Sequence, residues 1–215
     1  MRADVENALS AAIVSGELAP GLIVSVPTLA ARFVVSATPV REGILDPEQR
    51  GFVESIRNKG FRITEFGEED LLEIVQIRRW LEVPAMGLLA KSFPIDQTAR
   101  FRDLADAFVQ AAALGNFQEY LDAETVFHLE LLRPLNNERL LIIVAQLRSQ
   151  TRMVGLSDLR KTIEVEKSAQ EHQLLLDRLA ARENDGAEEP MFSHIGHVSG
   201  WWAGRRVRRR RHRGQ

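Results

Sequence analysis

Val35-Ser36-Ala37-Thr38-Pro39-Val40-Arg41-Glu42 decides how this chain is read, because it has the chemistry of a helix start followed by a cation. Ser36 is a strong N-cap residue, Pro39 stands in the first turn where a missing N–H costs nothing, and Arg41 follows one turn inside as a free guanidinium. The stretch reads as the beginning of a helix that enters a DNA groove. Working outward, Thr28-Leu29-Ala30-Ala31-Arg32-Phe33 carries a short helical signal, the first half of a helix-turn-helix, and Gly16-Glu17-Leu18-Ala19-Pro20-Gly21 before it is a turn-rich linker. Downstream, residues 51–57 and 61–64 flank Asn58-Lys59-Gly60, which predicts a two-stranded hairpin with a basic, glycine-containing tip. Pro47 inside a regular helix would lose a hydrogen bond and clash with the preceding turn, so the recognition helix is expected to end near Asp46.

Residues 5–65 resemble the winged helix-turn-helix of the GntR family of bacterial transcription regulators, whose hallmark is a G-E-L-x-P-G turn followed by S-R-T-P-V-R-E. The resemblance implies operator DNA as a partner. Arg41 is then expected to contact bases, Ser36 and Thr38 bases or phosphate beside Pro39, and Lys59 with Gly60 the minor groove or the backbone. Two plainer readings stand beside these: Ser36 as a cap alone, and Arg41 paired with Glu42 or another acid. The chain departs from the family at Ala37, where an arginine that reads bases is usual, and at Pro47, where a helical apolar residue is usual. A missing guanidinium removes about 1 to 3 kcal/mol of base discrimination. Either the operator differs from the common family type, or DNA binding is weaker here.

A length of 215 residues accommodates a small domain and a larger one, each with its own core. The expected division is a winged helix-turn-helix over residues 1–66, an all-α antiparallel bundle over 67–198 and a basic tail over 199–215, a mainly α protein. No apolar run is long enough to span a bilayer and no signal-peptide pattern opens the chain, so a soluble, cytoplasmic protein without a membrane partner is expected. The chain has no cysteine, which excludes disulfides and thiolate metal sites. Residues 205–215 hold seven of the 28 basic residues, which leaves 21 against 30 acidic residues, a balance of −9. Partners of the body are therefore met at local basic patches and not through a global field. The tail itself reads either as a salt-sensitive, sequence-blind phosphate contact or as a solvated, disordered end, with His212 inside it and Trp201 and Trp202 packing on the last helix.

From Glu68 onward the periodicity is helical. Leu71, Ile74, Val75, Arg78, Leu81 and Glu82 recur at three-and-four spacing after an acidic helix start, and Pro84 is expected to bend this helix. Further helices are expected over about 95–114, 116–132, 137–156, 161–182 and 186–198, separated by short polar breaks, which implies an antiparallel bundle. Within it Glu124 and His128 are four apart and share a helix face, while His172 and His194 lie on two later helices. Three imidazoles and a carboxylate on three helices can bind a divalent transition metal with positions left open. Spacing alone equally allows hydrogen-bonded core or rim histidines. His197, one turn below His194, reads as outer support for such a site or as a residue at the bundle end.

The pattern Glu-x-x-Phe-His, then Glu-His, then Met-x-x-His resembles the ligand-binding FCD domain of the FadR-type branch of GntR regulators, in which an Asp and three His hold a metal. That resemblance implies Glu124, His128, His172 and His194 as ligands, with Glu124 in place of the usual Asp and Asp122 a less well placed substitute. Zinc or nickel suits the N/O donor set best, and manganese is also compatible. It further implies a small organic acid as effector, bound at or near the metal, with Arg78 and Arg148 as candidate guanidinium clamps; the plainer reading of each is a surface ion pair, for Arg78 with Glu82. A homodimer presenting two recognition helices to a two-fold operator is expected. Two other functions compete with a metabolite-responsive regulator. One is a metal-dependent hydrolase using the His/carboxylate cluster, against which no further Glu or His stands as a dedicated base. The other is a sensor module with a degraded DNA-binding head.

Overall fold

The computed structural model describes residues 2–14, 16–114, 116–153, 164–183 and 186–196. The arginine-rich tail, His197, Trp201, Trp202 and His212 lie outside these residues. The chain divides into two compact units, Met1–Gly67 with Ser149–Asp158, and Glu68–Arg148 with Leu159–Gln215. Among the described residues no helix is long and apolar enough to cross a membrane.

The first unit runs α1 (Arg2–Val14), β1 (Ile23–Val24), α2 (Val26–Phe33), α3 (Ala37–Gly43), α4 (Leu45–Gln49), β2 (Val53–Ile56) and β3 (Gly60–Ile63). Its core is apolar: Val5, Leu9 and Ile13 fall on one face of α1 and meet Leu18, Leu29, Val40, Ile44, Phe52 and Ile63. α2 starts where the sequence invites it, with the Ser25 hydroxyl accepting from the Thr28 amide at 3.2 Å and a proline in the first turn. It stops at Val34, which adopts left-handed φ 57° and ψ 45°, a conformation that crowds the Cβ of a branched residue. The exposed Val34 side chain marks the corner of the helix-turn-helix.

α3 is shorter than expected. The break falls at Ile44, ahead of Pro47, which sits inside α4. The expected end near Asp46 is corrected on physical grounds: Pro47 is the third residue of a new helix, where the backbone N–H has no helical partner to lose. The hairpin forms as expected, with Val53 opposite Ile63 and Ile56 opposite Gly60, and Asn58 at φ 62° in its turn. A third strand was not anticipated: β1 pairs with β3, giving the order β1-β3-β2. Gly60 makes this possible. Its φ is 115°, and a Cβ there would collide with the Val24 carbonyl.

The second unit is helical: α5 (Glu68–Ser92), α6 (Thr98–Ala113), α7 (Phe117–Leu132), α8 (Glu138–Met153, whose residues from Ser149 on fall in the first unit), α9 (Glu164–Ala180) and a helix over 186–196, here α10. A short 3-10 turn at Arg133–Leu135 stands at one of the expected polar breaks, and another at Ile95–Gln97 takes the start of the helix expected over about 95–114. α5 continues through Pro84 as one helix of 25 residues. α6 packs against both α7 and α9, and Phe93, Phe101, Phe108, Phe127, Leu131, Leu176 and Leu179 fill the interior.

Candidate metal centre and nucleic-acid interface

In the first unit the predicted contact residues are partly gathered on the surface. Thr38 and Arg41 project as exposed residues from α3, and Lys59 is exposed in the β2–β3 turn. Ser36 stands at the N-cap of α3, yet its hydroxyl makes no capping hydrogen bond, so it is not spent on the helix end. Pro39 is buried; its ring packs inward and contributes to the core. Gly60 has the backbone role given above. Beside the tip, Arg62 is held by Glu54 across the strands at 3.0 Å, and Arg32 pairs with Glu17.

In the second unit, Glu124, His128, His172 and His194 offer four ligand atoms that all lie within 4.8 Å of one another. α7 supplies the first two, one helical turn apart, while α9 brings His172 and α10 His194. The Nε2 atoms of His128 and His172 are 2.9 Å apart. Glu124 Oε1 lies 3.3 Å from His128 Nε2 and 3.5 Å from His194 Nε2. Donors about 2.1 Å from one ion stand about 3.4 Å apart in a tetrahedral set and about 3.0 Å apart at right angles, so these spacings are those of a chelate. The same contacts also serve as hydrogen bonds, the 2.9 Å approach of His128 to His172 among them, so the reading as hydrogen-bonded core histidines stands beside the chelate.

The donor chemistry agrees. His128 and His172 are each 1% exposed, and His128 Nδ1 has no hydrogen-bond partner. Burial, joined by the Arg148 cation, holds the His128 imidazole well below its ordinary pKa despite Glu124, which favours the neutral ring with one nitrogen lone pair free to donate. Burial pushes the Glu124 carboxyl up, but Arg148, then His128 and His194, hold it well below the usual carboxylate range. His194 goes the other way: burial lowers it, yet Glu124 and Glu171 prevail and its imidazole is raised. Glu171 Oε2 lies 3.6 Å from His194 Nδ1, the placement of a carboxylate that orients a ligating imidazole and leaves Nε2 for an ion. Phe108 and Phe127 close one side, with ring centroids 4.6 and 5.1 Å from that of His172. The Glu124 and Glu171 side chains are 16% and 24% exposed. Asp122 is not part of this cluster.

Arg78 and Arg148 reach the same region, but not as surface pairs. They are 3% and 2% exposed. Arg148 Nη1 donates to Glu124 Oε1 at 2.7 Å and Nη2 to Glu82, while Arg78 Nε donates to the second Glu82 oxygen at 2.8 Å. Glu82 is fully buried; burial raises its carboxyl, and Arg148 and Arg78 together bring it below the ordinary value. Burial lowers the Arg78 guanidinium even with Glu82 beside it. The sequence reading assigned no site role to Glu82 or Glu171. The signal for Glu82 was present: a charged residue in the apolar register of α5 has to find a partner inside.

The sequence model of the FCD domain matches residues 73–197, and that described as bacterial regulatory proteins, gntR family, matches residues 1–63. The chain is 30% identical over 183 residues to the probable D-xylose utilization operon transcriptional repressor of Paenarthrobacter nicotinovorans, covering 85% of this chain and 80% of that protein. It is 28% identical over 186 residues to the HTH-type transcriptional regulator McbR of Escherichia coli (strain K12), covering 85% and 83%. Among solved structures, E. coli McbR/YncC superposes with a TM-score of 0.75 at 25% identity, over 94% of this chain and 98% of that one.

Proposed function

We propose a mechanism from one premise: the chain belongs to the GntR family of bacterial regulatory proteins and carries an FCD domain. It is a DNA-binding transcriptional regulator and not an enzyme, which removes the hydrolase reading. In the proposed mechanism Arg41 and Thr38 of α3, with Ser36 at its N-cap, read an operator while Lys59 at the hairpin tip holds the backbone. Two copies do so on a two-fold site in the cytoplasm.

The bundle carries the sensor. Glu124, His128, His172 and His194 hold a divalent transition metal, zinc or nickel in the first place, with manganese compatible with the donor set. When bound, such an ion supplies a Lewis-acidic centre that accepts an oxygen ligand. The protein's own residues define what that ligand is. Arg78 and Arg148 are balanced by Glu82 and Glu124, so the positive charge of a divalent ion among three imidazoles is left to be met. Glu171 at the rim offsets part of it, and a small organic acid supplies the rest. The effector alters operator affinity to the extent that it favours one arrangement of the reading heads over another.

The observation that carries this reading is the convergence of four ligand atoms within 4.8 Å. Metal analysis of purified protein tests it: His172→Ala should lose its ion, and full occupancy in that variant would remove His172 from the ligand set. Retardation of the chain's own upstream DNA, altered by a metal chelator, tests the regulator as a whole; a probe retarded identically with and without the ion would separate the metal from DNA control.

A further inference from the structure

We propose that Arg148 is a positioning residue for the metal-ligating carboxylate of Glu124, anchored from behind by Glu82 and Arg78, and that neither guanidinium holds the effector. The assignment rests on the metal reading above. Four charged side chains form one row, Arg78 to Glu82 to Arg148 to Glu124, running from α5 through α8 to α7. Both arms of the Arg148 fork are engaged: one on Glu82, one at 2.7 Å from the same Glu124 oxygen that faces His128 and His194.

Two physical arguments favour positioning over effector binding. A glutamate has one more rotatable bond than an aspartate, so its carboxylate sweeps a larger volume and makes a poorly preorganised ligand. A planar guanidinium fixed at both ends removes that freedom, which a point-charge ammonium does not. Secondly, an effector carboxylate would have to displace Glu82 or Glu124 from Arg148. Both are covalently tethered and already desolvated, and a buried pair that loses one partner leaves an uncompensated charge. A free acid does not win that exchange. It finds its place at the ion, from the side where Glu124 and Glu171 are partly exposed.

The test separates ligand positioning from effector binding and from folding. Arg148→Gln is compared with the wild type for Zn2+ affinity, by competition with a chromophoric chelator, for the visible absorption of the Co2+-loaded protein, and for acetate affinity of that Co2+ form. Zn2+ affinity should fall roughly 10- to 100-fold and the Co2+ bands should shift, while acetate affinity changes by less than about threefold. Glu82→Gln should move the same readouts in the same direction, and the double variant should be little worse than Arg148→Gln, since both act through one contact. A merely structural role would lower thermal stability without moving the Co2+ bands. If Arg148→Gln does not fold, Arg148→Lys carries the same expectations, because lysine cannot span two carboxylates. Unchanged Zn2+ affinity and Co2+ bands, or a loss of acetate affinity beyond about tenfold, would overturn the assignment. A wild-type protein that takes up neither Zn2+ nor Co2+ would overturn the metal reading itself, and this assignment with it.

Discussion

The two units differ in where they keep their charges, one outside its core and the other within it. In the first, Arg41, Arg57 and Lys59 are exposed around an apolar core. In the second, Arg78, Glu82, Arg148 and three histidines are buried, and among the described residues every buried ionisable side chain lies there. Exposed cations remain available to a polyanion and can change without disturbing the fold. Buried ones are bound to their partners, so they hold geometry. The contrast teaches that one set of residue types can furnish an exposed cationic surface in one unit and a fixed interior network in the other.

The largest expected effect breaks the interior row. Glu82→Ala strands two guanidiniums without their carboxylate, and should cost about 3 to 5 kcal/mol of stability in urea unfolding; a loss below about 1 kcal/mol would mean that water reaches these charges freely. Arg41→Ala should do the reverse. Stability should stay within about 0.5 kcal/mol, while operator binding loses about 1 to 3 kcal/mol and sequence preference relaxes. Equal loss on specific and random DNA would make Arg41 a phosphate contact instead.

Next in size is the pH dependence of the chamber. Metal binding requires an unprotonated His194, whose imidazole is raised above its ordinary value, whereas His128 is already neutral. Zn2+ affinity should therefore fall by about tenfold for each pH unit below the His194 value, with one proton released per ion. For the metal-free protein the sign is opposite. His194 contributes stability that is full below about pH 6.5 and lost as pH rises through its raised value, while Glu124 contributes stability present above about pH 4.5 and lost as pH falls through its depressed value. A proton count of zero on Zn2+ uptake at neutral pH would exclude His194 as the titrating ligand.

The smallest effect compares two serines of the first unit. Ser25 caps α2 through its side chain, so Ser25→Ala should cost about 1 kcal/mol. Ser36 does not cap α3, so Ser36→Ala should leave thermal stability almost unchanged, while operator affinity reports whether its hydroxyl meets DNA.

What the sequence made legible follows the range of the interactions involved. The helix-turn-helix and hairpin were readable because helix-start residues and turn residues act within a few positions. β1 was not, since Ile23 and Val24 become a strand only by pairing with Phe61 and Arg62, some forty positions away. The break at Ile44 escaped because Pro47 reads as a helix terminator, although in the first turn of α4 it is a permitted residue. Glu124 and His128 could be placed on one face by their spacing, but no spacing tells that His172 and His194 meet them; the family resemblance carried that step. Arg78 with Glu82 was readable as an i, i+4 pair, whereas its burial depends on how α5 packs.

The histidine cluster has unlike neighbours. Aromatic rings pack on His172, while Glu124 and Glu171 near His194 are partly exposed; on the proposed metal reading, an arriving hydrated cation would meet carboxylate oxygen before imidazole nitrogen. An organic acid bound beside those carboxylates would then stand where such an ion leaves. On that reading the residence time of the ion would lengthen whenever the metabolite is abundant, leaving the protein a record of recent supply.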